Sequence, residues 1–240
     1  MNVLDLNQYL KAHAYPGRGI LLGRSADNKN AVIAYFIMGR SANSRNRVFT
    51  PVPEDNGIMT EAFDPGKMED PSLIIYHPVR YIAETGDTVV TNGDQTDTVR
   101  DYIKAGKVFA EGLRTRCFEP DPPNYTPRIS GLLHQDGSYA LSILKSADGD
   151  PSCNHRYFFG YDAPLPGEGH FIHTYQANEN PLPSFEGEPR RVSITAPDAE
   201  TLAKELWESL NEDNKVSLFV RYVNLKDGST QDVITNKYSD

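Results

Sequence analysis

Short apolar runs alternate along this chain with breaks marked by glycine, proline or asparagine, a rhythm that predicts many strands and few helices. Val3, Leu6, Leu10 and Ala14 recur near helical spacing, so a short amphipathic helix is expected over residues 3–13, ended by Tyr15-Pro16-Gly17. Arg18–Arg24 (RGILLGR) reads as a strand with an arginine at each end, and Ala31–Met38 as its hairpin partner across a turn-rich 25–30. Residues 51–71 read as a polar loop holding one helical turn, 72–84 as a strand pair or one interrupted strand, and 88–90 as a further strand. Asn92-Gly93 marks a turn into a helix from Gln95 to Ala105, which Gly106 ends. Helix is expected again from Lys107 to Phe118, until Pro120, Pro122 and Pro123 forbid it. Strands follow at 129–133, 139–144, 156–161, 170–175, 192–195, 216–225 and 231–235, with loops at 146–152 and 176–189. The clearest helix starts at Pro197-Asp198 and carries Leu202, Leu206, Trp207 and Leu210 on one face. No repeat or linker interrupts the pattern, so one α+β domain over 1–240, mostly antiparallel, is the expectation.

Charge narrows the classes. With 24 Lys plus Arg against 33 Asp plus Glu, the net charge is -9, which argues against a nucleic-acid coat or a membrane-surface binder. Cys117 and Cys153, without a CxxC, suggest two thiols rather than a disulfide framework or a cysteine zinc site. The N-terminal stretch carries Asp5 and no long apolar run, so it does not read as a signal peptide, and the cytoplasm is the expected location. No P-loop, dinucleotide fingerprint, zinc-protease helix or nucleophile elbow occurs. His170 and His173, the one close histidine pair, fall on opposite faces of a strand, so no metal site is expected.

Against this acidic background, residues 28–53 contain no carboxylate. The apolar run Tyr35–Met38 turns at Gly39 into Arg40, Ser41, Asn43, Arg45, Asn46 and Arg47. Arginine offers a planar fork of donors and the small polar side chains add neutral ones, so this loop can cradle phosphate. A solvated basic loop is an equally good reading of the spacing alone. Arg18 sits between Gly17 and Gly19, which would let a ligand approach the backbone. The Asn92-Gly93 turn aims helix N–H groups at one point, either an anion site or a plain connection. Tyr76 and Arg80 are candidate site groups, and His77, before a proline, reads as a strand-edge residue.

Several of these pieces occur together in one family. The chain resembles the archaeal-type inosine monophosphate (IMP) cyclohydrolases through Gly17-Arg18, Tyr35 with Gly39-Arg40-Ser41 through Asn46-Arg47, Tyr76 with Val79-Arg80, Asn92-Gly93 with Thr96-Asp97, and Thr126-Pro127-Arg128-Ile129. They spread over about the first 130 residues, in family order; beyond Leu133 only the general organisation and the late helix with Trp207 are shared. The resemblance implies an αββα sandwich of the N-terminal-nucleophile hydrolase type, without self-cleavage; Asn2, with neither hydroxyl nor thiol, agrees. It implies dehydrative closure of 5-formamidoimidazole-4-carboxamide ribonucleotide to IMP, with no cofactor and no metal. Partners would be the purine nucleotide alone, without nucleic acid or membrane; self-association into a homo-oligomer is compatible with it. In that reading Arg40, Ser41, Asn46 and Arg47 surround phosphate or base with Arg18 nearby, and Tyr76 and Arg80 sit at the reacting end. Asn92, Asp97 and Arg128 orient the ribose or base, and Glu119 and Asp121 are candidate proton acceptors in a stretch whose extra prolines depart from the family pattern. The rival readings are a purine-nucleotide-binding paralogue without turnover, and an amidohydrolase, for which neither cysteine has an evident histidine partner.

Overall fold

The computed structural model of the chain describes residues 3–68, 71 and 74–238; Asn2, Ser72 and Leu73, which figure in the reading above, lie outside them. Asp5 accepts hydrogen bonds from the N–H groups of Asn7 (2.9 Å) and Gln8 (3.2 Å), so the first helix, α1 (Leu6–Ala12), starts at this cap rather than at Val3. Strands β1 (Arg18–Arg24) and β2 (Asn30–Met38) form the expected antiparallel hairpin, Arg18 opposite Ile37. A four-residue helix, α2 (Ala42–Arg45), follows, then β3 (Val48–Val52), β4 (Gly57–Glu61), β5 (Val79–Ile82) and β6 (Asp87–Thr91). Helices α3 (Gln95–Lys104) and α4 (Phe109–Arg114) precede β7 (Arg128–Leu133), β8 (Tyr139–Ala147), β9 (Asp150–Tyr161), β10 (Glu168–His173) and β11 (Arg190–Ser193). The chain closes with α5 (Ala199–Ser209), β12 (Lys215–Asn224) and β13 (Thr230–Asn236).

The strands make two wholly antiparallel sheets, one ordered β11-β10-β1-β2-β12-β13 and one running β3 to β9 as a meander. The period of two explains how the sheets are covered. Leu21, Val32, Ala34 and Phe36 pack with Leu6 and Leu10 of α1 and Leu202 and Leu206 of α5. Their neighbours Ile20, Leu22, Ile33 and Tyr35 turn the other way and meet Ile58, Val90, Ile129 and Leu141 of the second sheet. Val89 and Leu132 on that sheet's far face meet Val99 and Ile103 of α3 and Leu113 of α4. The result is helices, sheet, sheet, helices, α+β and mostly antiparallel. The long apolar runs of β1 and β2 are the mark of strands buried on both faces. Each such side chain contributes about 1.5–3 kcal/mol by leaving water.

The differences from the sequence reading have local causes. The loop expected over 51–71 contains β4, because Asn56 takes the left-handed conformation (φ 42°) and folds Gly57–Glu61 back on β3. Among the described residues of 72–84 only Val79–Ile82 is strand. Gly106 (φ 73°) ends α3, and the next helix holds only Phe109–Arg114 of the stretch 107–118. The loop expected at 146–152 is mostly strand, with Asp148 and Gly149 (φ 52° and 86°) making a tight turn between β8 and β9.

Candidate active site

Where β1 begins, the chain of β2 leaves its sheet and the 119–126 loop crosses, a cavity of about 410 Å³ opens. Its floor is charged and buried. Arg18, at the start of β1, is 8% exposed and Arg47, just before β3, is 6% exposed. Among the described residues neither guanidinium makes a side-chain hydrogen bond or ion pair, and the Nε of each is buried without a partner. The buried Nε–H of each side chain therefore awaits an acceptor that the described residues do not supply. Glu119 lines the same floor at 5% exposure, and its N–H is held by the Thr126 carbonyl (2.9 Å).

Burial raises the Glu119 carboxyl above the ordinary carboxylate range, while Arg18, Arg128 and Arg47 pull it back. Burial opposes the charge on Arg18, but Glu119 and the phenols of Tyr175, Tyr15 and Tyr76 raise its affinity for the proton. Arg47 is shifted down by burial and by the like charge of Arg18. Behind the floor the Tyr35 and Tyr76 hydroxyls meet at 2.9 Å, both raised by burial, so both remain protonated donors. Tyr76 does not itself line the cavity, yet its hydroxyl feels Arg47, Arg18 and Glu119.

The walls are hydroxyls and rings. Thr126 Oγ1 bonds Asp121 and lies 2.6 Å from the Tyr175 hydroxyl, and the Tyr175 ring stacks on Tyr15 (centroids 5.9 Å apart). Gly17 (φ 80°) allows this wall: a Cβ there would lie 2.2 Å from Thr174 Oγ1 and 2.5 Å from the Tyr175 ring. A Cβ on Gly19 would strike Phe36 and Phe171. The space beside these two glycines is thus filled by protein, which corrects the expectation of ligand access there. At the mouth, Arg40 covers the Tyr15 ring (5.1 Å) and donates to Asn178 Oδ1 (3.0 Å) and the Glu179 carbonyl (2.9 Å). Ser41 caps α2 through reciprocal bonds with Ser44, and both line the mouth with Asn43.

Of the residues singled out in the sequence, the fold brings Arg18, Arg40, Ser41, Arg47, Glu119 and Asp121 around this cavity and places Tyr76 behind it. Five others serve elsewhere. Asn46 pins Asp64, accepting from its N–H (2.7 Å) and donating to its carbonyl (2.8 Å). Asn92 clamps β7, accepting from Ile129 N–H (2.9 Å) and donating to the Pro127 carbonyl (2.9 Å). Arg80 pairs with Asp55 and with Asp97 (2.8 Å), which also faces Arg100. At the helix start after Asn92-Gly93, Asp94 caps no N–H with its side chain and instead pairs with Arg116 and with Arg128 (2.7 Å). Arg128 is shared between Asp94 and Gln95 (2.6 Å), and its charge is felt by Glu119. Sequence reading missed Tyr15, Asn124 and Tyr175, which reach the site from loops far apart in the chain. The one signal for them was the Tyr-Pro-Gly break before Arg18.

His170 and His173 do lie on opposite faces, one against Tyr139 Oη (2.8 Å), the other against Tyr9 Oη (2.8 Å). Among the described residues no cluster of three His, Cys, Asp or Glu groups is arranged to hold a metal, and no helix is long and apolar enough to cross a membrane. Cys117 and Cys153 are free and exposed.

With this geometry in hand, comparison with known proteins is decisive for the family. The profile of a family described as "IMP cyclohydrolase-like protein" matches residues 15–228. The chain belongs to that family. The match to this IMP cyclohydrolase-like family includes the C-terminal half, where the sequence motifs run out. A curated IMP cyclohydrolase from Methanococcus maripaludis is 31% identical over 129 residues, covering 52% of this chain and 61% of that protein. Another, from a second strain, is 30% identical over 136 residues, covering 55% and 64%. The aligned stretch thus spans less than two thirds of either relative.

Proposed function

We propose that this protein closes the pyrimidine ring of 5-formamidoimidazole-4-carboxamide ribonucleotide to give IMP, acting as one domain over 1–240. The observation that carries the reading is the pair of buried, unpartnered guanidiniums, Arg18 and Arg47, facing a cavity with Glu119 in a member of this family. The layering of helices, two sheets and helices supports an αββα sandwich of the N-terminal-nucleophile hydrolase type.

The substrate already holds both reacting groups, so the protein must align them, bear developing charge and move protons. The carboxamide nitrogen bonds to the formyl carbon, and negative charge grows on the formyl oxygen. Arg18 and Arg47, both buried in the cavity floor, supply preorganised donors for that oxygen. The Tyr76 hydroxyl, tied to Tyr35 behind them, adds its dipole to the field of the two guanidiniums without reaching the cavity. The attacking nitrogen and the formamido nitrogen each give up one proton, and both protons leave with the formyl oxygen as water. Glu119, with its carboxyl raised by burial, has the basicity to take a proton from nitrogen and return it to the leaving hydroxyl. Arg40, Ser41, Asn43 and Ser44 at the mouth suit the 5′-phosphate, which stays nearest to solvent. Asp121, engaged by Thr126, orients the wall rather than accepting protons.

The test is ring closure by the purified chain, followed by absorbance against the slow uncatalysed reaction. Turnover is expected; IMP binding without turnover would leave a purine-nucleotide-binding paralogue in place of the enzyme.

A further inference from the structure

Each sheet ends in two outer strands, and the outer edges of β11 and β3 are guarded. Beside β11, Leu4 donates to the Arg191 carbonyl (2.9 Å) and accepts from Ser193 N–H (2.9 Å). Strand β3 is short, contains Pro51, and has both backbone groups of Phe49 tied to the Asn236 side chain of β13 (2.9 and 3.0 Å). Natural sheets use such devices to stop edge-to-edge pairing. The β9 edge carries Pro151 near its start, but among the described residues none of these devices from Cys153 to Tyr161. Strand β9 is the longest among the described residues, and apart from the Ser152 N–H, which Asp150 Oδ1 accepts (2.9 Å), its backbone bonds only to β8. Tyr157 and Phe158 stand exposed on its two faces.

We propose that β9 is a self-association surface, on which two copies of this chain pair antiparallel about a two-fold axis at Tyr157. Charge points to a second copy: the chain carries -9, yet β9 holds one Asp150 and one Arg156, which cancel. A self-paired edge there avoids the repulsion that the rest of the surface would meet. Register points the same way. In a two-fold antiparallel ladder opposed residues share a face, so the central residue opposes itself. Centring on Arg156 would set Arg156 against its own copy and Asp150 against Asp162, which disfavours it. Centring on Tyr157 keeps residues 153–161 within the ladder. It places Arg156 against Phe158 of the other copy, and His155 against Phe159, with no like charges opposed. Arginine over an aromatic face is attractive. Arg156 is already held on the outer face by its bond to the Arg116 carbonyl (3.0 Å). On the inner face a groove of about 490 Å³ sets Ile143, Tyr157, Phe159 and Phe185 beside Lys145, Glu186 and Glu188, and its four apolar side chains give the opposing rings a seat.

Sedimentation velocity of the full chain over a concentration series tests this. A species of twice the 26.8 kDa chain mass is expected. Phe158→Arg opposes two arginines at each of two positions and should weaken the dimer by more than about tenfold without changing the circular dichroism. Adding Arg156→Glu restores opposite charges and should restore the dimer. Oxidation of Tyr157→Cys, with Cys117→Ser and Cys153→Ser, should give an intermolecular disulfide, a readout independent of the charge variants. A wild-type monomer at every concentration, a dimer indifferent to Phe158→Arg, or no rescue by the second change would each overturn the proposal.

Discussion

Two sets of buried arginines can be compared side by side. Arg221, 1% exposed, is satisfied on every side: Asp232 takes its Nε (2.7 Å) and Nη2 (2.5 Å), and Asn56 takes Nη1 and Nη2 (both 2.9 Å). Arg80 is likewise held by Asp55 and Asp97. Arg18 and Arg47 are as buried as many core side chains, yet no described residue accepts a hydrogen bond from either guanidinium. An ion-paired buried arginine fixes architecture, whereas an unpaired one is a standing cost that a ligand can remove. The difference separates positions that build the fold from positions that await a substrate.

Breaking the structural side of the comparison should have the largest effect. Arg221→Met leaves Asp232 without its partner and should destabilise the protein by about 3–5 kcal/mol, measured by urea unfolding, with ring closure by the folded fraction unchanged. On the functional side, Tyr76→Phe removes one donor behind the floor. It should lower kcat by about 100-fold with little change in KM, since the interaction strengthens in the transition state. A kcat within a few-fold of wild type would take Tyr76 out of the reaction.

Glu119→Gln sharpens the comparison through pH. Because the Glu119 carboxyl is raised in the folded protein, its charged form is disfavoured there relative to the unfolded chain. Its stabilising contribution is present below the unfolded carboxylate range and is lost as pH rises through the raised value. At neutral pH the variant should therefore unfold no more easily than wild type, while its ring closure falls and the acidic limb of the kcat/KM profile disappears. An unaltered acidic limb would assign that limb to another group. The smallest effect belongs to Arg80→Ala, which should cost about 1–3 kcal/mol of stability and leave kcat unchanged. A kcat loss as large as that of Tyr76→Phe would return Arg80 to the reacting end.

Much of the fold was legible because its signals are local. The glycines and arginines around β1, the turn before β2 and the Asp198 cap of α5 mark their elements almost to the residue. Strand β9 was legible only in its aromatic half, since Asp150–Asn154 has no apolar alternation and is strand through its pairing with β8. The site divides in the same way. Arg40, Ser41 and Arg47 were visible as a basic stretch without carboxylates, and Arg18 by its place at the strand end. That Arg80 is neutralised while Arg47 is not depends on Asp55 and Asp97, brought in from another hairpin and from a helix. No spacing encodes it. Tyr15 and Tyr175 were hidden for the same reason, since they meet only because Gly17 lets the two segments touch.

The most direct test of the account is the single-turnover rate of ring closure by Arg47→Met, measured together with its unfolding free energy. The account predicts a rate lowered by at least about 100-fold and a stability equal to or above wild type, since an unpartnered buried charge has been removed. A rate within a few-fold of wild type, or a variant several kcal/mol less stable, would contradict it and place Arg47 with the arginines that build the fold.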